Sequence, residues 1–557
     1  MFLPDDKTKL AKVAKDIIDQ CRVSQSARSA LYRSYNSWIE TGRSENSGRA
    51  WANFMYSHVD RLQSYLFSPT SLRFDIDFEQ HYPNDLLAKA GTISRVITRM
   101  WERQDIDVTF GAGVNEALKY GAAIMKQKGS TADGTVVVTA DLVPPWQFAV
   151  LREDINGLED QDAFVQTTPM DLNQVWSRIA ALPDAENLYR RIQAHAQKGG
   201  GDDANQSFFH QIVSTSPLGV PPNSSPTRPG GIIQLSTAQT GGVLGPQLGI
   251  DLVLFHELWV KDDLTGDYAT IQMIEPDILI APSPLMKRKN LFCEKTHPFT
   301  LIQPNFQSNY FWGRSEIADL VALQDLLDTG VGDIRRLIGQ QFDKLLAFSG
   351  QDGITDEMYD QFRSNGFLNM GQGGAVEDLT PQLPAQAFEY IDLIKKMMDM
   401  ISGFDNIMSG RGETGVRSGD QTAQLAKFAS PRLRDRALLV ERQAARAADT
   451  TLAYLEAKEG KVYWLNAEDE QSDFLISLLP DDRRVTVDSH SSSPIYEEDH
   501  AQLILAGIKA GFITGESAIE LLPYPHKDTL LQRLKAKEQA QAELIKQHPE
   551  LLLKGKH

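Results

Sequence analysis

Apolar residues in the first 127 positions recur every three or four residues, the spacing that gathers them on one face of a helix. Helices are predicted at Asp5–Val23, at Ala27–Glu40 with Tyr32, Tyr35 and Trp38, and at Trp51–Leu66 with Phe54, Val59, Leu62 and Leu66. Leu86–Trp101 and Val108–Gln127 follow, the latter carrying Val114, Leu118, Ala122 and Met125. Pro69 ends the third, because proline cannot donate to the helical ladder. The period then shortens. Thr135–Val138 and Ala140–Val143 are β-branched runs, Pro144 and Pro145 punctuate, and Gln147–Arg152 and Ala163–Thr167 continue a small sheet. Met170–Ile179 returns to a helical spacing. From Gly199 to Pro246 the chain is rich in Gly, Ser, Pro and Thr, which suits an extended loop or inserted flap. Ile250–Val260 and Asp267–Ile274 read as a hairpin turning at Thr265, Gly266 and Asp267. Leu279–Ile302 is mixed.

Beyond Pro304 the pattern predicts long helices around a small excursion. Ser315–Phe348 places Ile317, Leu320, Val321, Leu327, Val331, Ile334, Ile338, Phe342 and Leu345 at helical spacing, with Gly330 and Gly332 as candidate kinks. Ser349–Pro384 is glycine-rich, with a short helix near Thr355–Arg363 and short strands near Gly366–Met370 and Ala375–Leu379. Ala385–Ser402 is helical through Phe388, Ile391, Ile394, Met398 and Ile401. Gly403–Arg417 is a polar loop. A second long helix starts at Ser418, whose spacing to Gln421 fits a capping box, and runs to Gly460 with a bend at Pro431. Strand-like Val462–Leu465 and Val485–Val487 precede helices at Glu498–Ala510, Gly515–Leu522 and Lys527–Lys546. The fold class expected is α+β, mainly α.

Length changes the picture first: 557 residues exceed what one hydrophobic core organises, so several packing units are expected. Apolar residues at 41% and charged residues at 23% place the chain among globular proteins. No apolar run is long enough for a membrane span, and the N-terminus shows no secretory pattern, so no membrane contact is expected. Cys21 and Cys293 are too few and too far apart for a disulfide framework, which fits a reducing cytoplasm. A net charge of −18 argues against gripping a nucleic-acid backbone over a wide basic surface; it leaves a polyanion free to slide past, and it equally serves simply to keep a large protein dispersed, so charge alone decides nothing.

Candidate chemistry is sparse. The loop from Ser409 to Gly419 spaces Gly410 and Gly415 like a phosphate cradle, but Val416 stands where a P-loop needs lysine and no strand leads into it. His256-Glu257 lacks the second histidine of a zinc protease, and Gly313 to Ile317 lacks the second glycine of a nucleophile elbow. Asp481, Asp482, Arg483 and Arg484 read as a solvated charged turn. Arg432, Arg434, Arg436, Arg442 and Arg446 are interleaved with Asp435, Glu441 and Asp449, which favours ion pairs on a solvated face over a nucleic-acid contact. No catalytic residue, metal ligand or cofactor is expected.

The order of these parts resembles the portal proteins, or head-to-tail connectors, of tailed bacteriophages. The resemblance rests on His297-Pro298-Phe299-Thr300, then Gly313-Arg314-Ser315-Glu316-Ile317 and Leu323-Gln324-Asp325, and on Ser418-Gly419, Thr422-Ala423 and Leu425 ahead of Arg432–Leu452. Asn115 to Gly121, Val143 to Phe148 and Ala506-Gly507 with Gly511 to Thr514 are also similar, so the likeness spans about residues 110–540 through order and spacing. It implies a wing at 1–314, stem helices at 315–348 and 385–402 around a clip at 349–384, and a tunnel loop at 403–417. A bent helix at 418–460 and a crown with C-terminal helices at 461–557 complete it. It implies a structural protein, not an enzyme: a homo-oligomeric ring of about twelve subunits at one capsid vertex of the virion, made in the host cytoplasm. Double-stranded DNA would pass through it for packaging and ejection. The partners implied are the major capsid protein, the terminase large subunit and a head–tail adaptor. Gly410, Arg411, Gly412, Glu413, Thr414, Gly415, Val416 and Arg417 would face the DNA. Asp352, Thr355, Asp356, Asp360, Arg363, Asn365 and Asn369 of the clip would dock adaptor or terminase. The competing expectations are a DNA-processing nuclease with carboxylates gathered from several segments, and a minor capsid protein without a channel.

Overall fold

The computed structural model describes, apart from shorter breaks, residues 3–197, 252–349, 375–402 and 431–487, with isolated positions at 357, 360, 364, 504, 506–509 and 534. The chain mixes helix and strand, helix predominating, and no sheet closes into a barrel among the described residues. It divides into two units. The first comprises Met1–Arg33, His58–Glu316 and Val416–His557; the second comprises Ser34–Ser57 and Ile317–Gly415.

The N-terminal helices form where the spacing predicts them. Helix α1 (Lys7–Arg22) starts at Asp6, whose carboxylate accepts from the Thr8 and Lys9 N–H groups at 2.9 and 3.0 Å. Helices α2 (Gln25–Thr41), α3 (Phe54–Leu66), α4 (Asn84–Arg103) and α5 (Ile106–Tyr120) follow. The helix expected over Val108–Gln127 is corrected: α5 stops at Tyr120. Gly121 turns the chain at φ 97°, where a Cβ would lie 2.5 Å from the Trp312 carbonyl oxygen. Strand β2 (Ala123–Ala132) begins two residues later. It lies between β3 (Thr135–Val143) and β9 (Phe299–Ile302) in a three-stranded antiparallel sheet. Ala122 to Met125 are all buried, and a strand covered on both faces loses the alternation that would distinguish it from a helix.

A five-stranded antiparallel sheet carries β4 (Phe148–Val150), β5 (Ala163–Asp171), β6 (Leu252–Lys261), β7 (Tyr268–Ile274) and β8 (Ile278–Ala281) in that order. The expected hairpin is β6–β7, with Trp259 opposite Thr270; its turn lies outside the described residues. Strand β5 runs through Met170, so the helix predicted from that residue is shorter: α6 (Leu172–Ile179), with Asp171 and Gln174 in a reciprocal capping box. Helix α7 (Ala185–Gln197), absent from the predicted elements, joins α6 over Val253, Phe255, Ile274 and Ile280. Helix α1 buries Leu10, Ala14, Ile17 and Ile18 against Val165, Leu258 and Ile271. An aromatic cluster joins the two sheets: the Phe299 ring lies 5.3 Å from Phe148, 5.5 Å from Phe164 and 5.8 Å from Trp259. Burying each such ring contributes about 2–3 kcal/mol.

Helix α10 (Pro431–Ala457) returns to this unit, against β2 and β9; Ser418 and the chain up to Pro431 lie outside the described residues. Its register is fixed by amides. Gln443 accepts from the Gln303 N–H at 2.9 Å and donates to the Gln303 carbonyl at 3.1 Å. Gln127 donates to the Ala447 carbonyl at 2.6 Å and accepts from the Thr451 hydroxyl at 3.1 Å, while Trp101 donates to Thr451 at 3.2 Å. Strand β1 (Phe74–Phe78), not predicted, pairs with β14 (Arg483–Val487); β12 (Val462–Leu465) pairs with β13 (Gln471–Phe474). Residues 506–509 are helical, as expected within Glu498–Ala510, and the Gly515–Leu522 helix lies outside the described residues. So does Lys527–Lys546 save position 534.

In the second unit, the helix expected over Ser315–Phe348 is corrected to α8 (Glu316–Phe342) followed by β10 (Leu346–Ser349). Strand β10 pairs with β11 (Ala375–Asp378), and backbone partners outweigh the weak helical spacing of its four residues. Helix α9 (Gln386–Ser402) follows. Neither Gly330 nor Gly332 interrupts α8. Gly330 faces α9: a Cβ there would lie 3.0 Å from Ile391 Cδ1.

Candidate assembly surface

Most residues singled out as contacts for DNA or docking partners fall outside what the structure describes. That holds for Gly410 to Arg417, and for Asp352, Thr355, Asp356, Arg363, Asn365 and Asn369. Asp360 is described, helical and exposed. The paired strands β10 and β11 bracket that stretch in sequence.

Two charged clusters are corrected in part. Arg436 is not on a solvated face: it is buried and pairs with buried Glu316 at 3.2 Å, while Asn305 donates to the same carboxylate at 3.1 Å. Arg442 and Arg446 are exposed. Arg483 opens β14 rather than a turn, pairing with Glu456 and donating to the Leu479 and Pro480 carbonyls. Asp482 does occupy a turn, where it accepts from Tyr82 at 2.9 Å.

Burial elsewhere is tied to partners. His256 contacts Thr167 through Nδ1 at 2.9 Å and Arg22 through Nε2 at 3.0 Å. Glu257, opposite Gln166 on the other face of β6, accepts from Lys126 at 2.5 Å and from Trp259 at 3.0 Å. Burial lowers the Lys126 ammonium from its ordinary range, opposed by Glu257 beside it. Burial also holds His58 and His297 down at about 4. Cys21 is a free, buried thiol pushed up by burial to about 12, which leaves it unreactive. Among the described residues no three His, Cys, Asp or Glu side chains gather to hold a metal, and no helix is long and apolar enough to cross a membrane.

The second unit presents a surface that sequence reasoning passed over. Helix α9 buries Ile391, Ile394 and Met398. Tyr390, Leu393, Met397 and Met400 form a second stripe at the 3-4-3 spacing of a coiled-coil seam, rotated from the first by about 100°. These four are 46%, 53%, 43% and 77% exposed. The far half of α8 is only partly covered: Val331, Ile334 and Leu337 are half-buried and Ile338 is 37% exposed. None of residues 329–341 is buried. The near half is fixed by polar clamps: Gln324 donates to the Ala52 carbonyl at 2.8 Å and accepts from the Phe54 N–H at 3.2 Å. Asp328 accepts from the Trp51 N–H at 2.7 Å and from Arg43 at 2.5 Å, and the Arg335 guanidinium lies 3.8 Å over the Trp51 ring. The signal in the sequence was the adjacency of the stripes: ten apolar side chains on α9, from Ala387 and Phe388 (56% exposed) through Tyr390, Ile391, Leu393, Ile394, Met397, Met398 and Met400 to Ile401, exceed what one neighbouring helix can cover.

No family model matches the chain, and comparison with curated proteins gives no match.

Proposed function

We propose that this chain is the portal subunit of a tailed bacteriophage, a structural protein whose copies close into a ring at one capsid vertex. Packaged and ejected DNA passes through that ring, which serves as a platform for the capsid, the terminase and the head–tail adaptor. The observation that carries the reading is the uncovered apolar stripe of α9 beside the unburied far half of α8. A soluble chain does not keep such a surface in water; covering each of those side chains contributes about 1–3 kcal/mol. Copies of the same chain cover it best, because a ring repeats one contact between two different faces until it closes. The motif order along the chain supports the same reading, with the α8–β10–β11–α9 excursion as stem and clip and Gly403–Arg417 as tunnel loop. The acidic balance suits a wall past which a polyanion slides without adhering.

Replacing Leu393 and Met397 together by Asp tests it. Both are exposed in the single chain, so the variant is expected to fold with little loss of thermal stability, but to sediment as monomer where the parent forms a large closed particle. A variant that assembles like the parent contradicts the reading.

A further inference from the structure

Helices α3 and α5 border an open pocket of about 400 Å3, whose lining includes Gln63, Val108, Ala112, Asn115, Glu116 and Lys119. Its wall is held by amides: Gln63 donates to the Gly111 carbonyl at 3.2 Å, and Asn115 donates to Gln63 Oε1 at 2.8 Å. Asn115 keeps its own carbonyl oxygen as an acceptor. Glu116 Oε2 is buried without a hydrogen-bond partner. Burial pushes its carboxyl up to about 7, against the pull of Lys119 one turn on. Such a group is costly in the isolated chain, and a cation from outside offsets that cost. The rim is apolar: Val108 is 54% exposed and Ala112 is exposed one turn along the same face of α5. Two acceptors beneath an apolar rim match an arginine, whose planar guanidinium gives paired donors and whose methylene stem packs on Val108 and Ala112.

We propose that this pocket receives an arginine side chain from a second copy of the chain, seated on Glu116 and Asn115, as part of the contact between neighbouring subunits. The proposal rests on the self-assembly reading above. A second copy is the fitting occupant because an open pocket beside exposed apolar side chains has the anatomy of a protein interface, with a desolvated anchor at its centre. An assembly of like chains also presents the same cation at every pocket.

The test compares the full-length chain with Glu116→Gln and Glu116→Asp, following particle mass over a concentration series and thermal unfolding of the dissociated chain. Glu116→Gln is expected to leave Tm unchanged or raise it, because it removes a carboxyl whose ionised form burial disfavours. It should also move the assembly midpoint at least tenfold higher in concentration. Glu116→Asp, which keeps the charge but draws it back, should fall between. An unchanged assembly midpoint in Glu116→Gln overturns this proposal alone, as does a lowered Tm, which would give Glu116 a partner inside the chain. A parent chain that stays monomeric throughout overturns both this proposal and the self-assembly reading.

Discussion

His297 sits edge-on to Phe164 and Tyr268, with ring centroids 5.3 and 5.2 Å away, and its Nδ1 accepts from the Phe299 N–H at 3.3 Å. Burial holds it neutral down to about 4, while in the unfolded chain it protonates near 6.5. Between those values the unfolded chain binds the extra proton, so stability is lost as pH falls through that window. Replacing His297 by Phe removes this term. Urea unfolding at pH 7 and pH 5 should show the parent losing about 2 kcal/mol relative to the variant; parallel pH dependence would place the proton elsewhere. At this scale the sequence was partly legible. Gly313 and Ser315 were singled out for a missing catalytic pattern, and both have structural roles. Gly313 takes φ 62° where a Cβ would lie 2.5 Å from Gln303 Nε2, and the Ser315 hydroxyl donates to the Lys119 carbonyl. Neither partner is near in sequence, so no local pattern could have revealed them.

Among the elements, helices were read well where one face is buried and the other solvated, as in α1, and less well where burial is two-sided. The run from Ala122 to Met125 read as helix for that reason, and only Gly121 marked the change. Strand β1 alternates cleanly, Phe74 and Ile76 in and Asp75 and Asp77 out, but five residues are a weak signal and its partner β14 lies far along the chain. Helix α10 shows how position is fixed once spacing has made a helix. Thr451 accepts from Trp101 and donates to Gln127, so Thr451→Val keeps the shape but strands a buried indole N–H and an amide oxygen. We expect a loss of about 1–3 kcal/mol in chemical denaturation. A change below 0.5 kcal/mol would show that the Gln127–Ala447 bond alone sets the register.

For the whole molecule, two cysteines so far apart argue against a disulfide framework, and composition leaves assembly open. The division of the chain did not follow its order: Ser34–Ser57 belongs with Ile317–Gly415, a grouping made by clamps such as Gln324 to Ala52 that a linear reading cannot see. The assembly surface was legible in principle, since both α9 stripes can be counted from the sequence. Recognising one as uncovered required knowing which side of α9 faces α8. The central claim is that copies of this chain cover that surface by closing on one another. Native mass determination of the purified full-length protein, with electron images of the same sample, tests it most directly. The account predicts a closed ring of about twelve copies around a central hole. A chain that remains monomer or dimer at every concentration would contradict it, and cleavage of DNA with a divalent metal would then favour the nuclease.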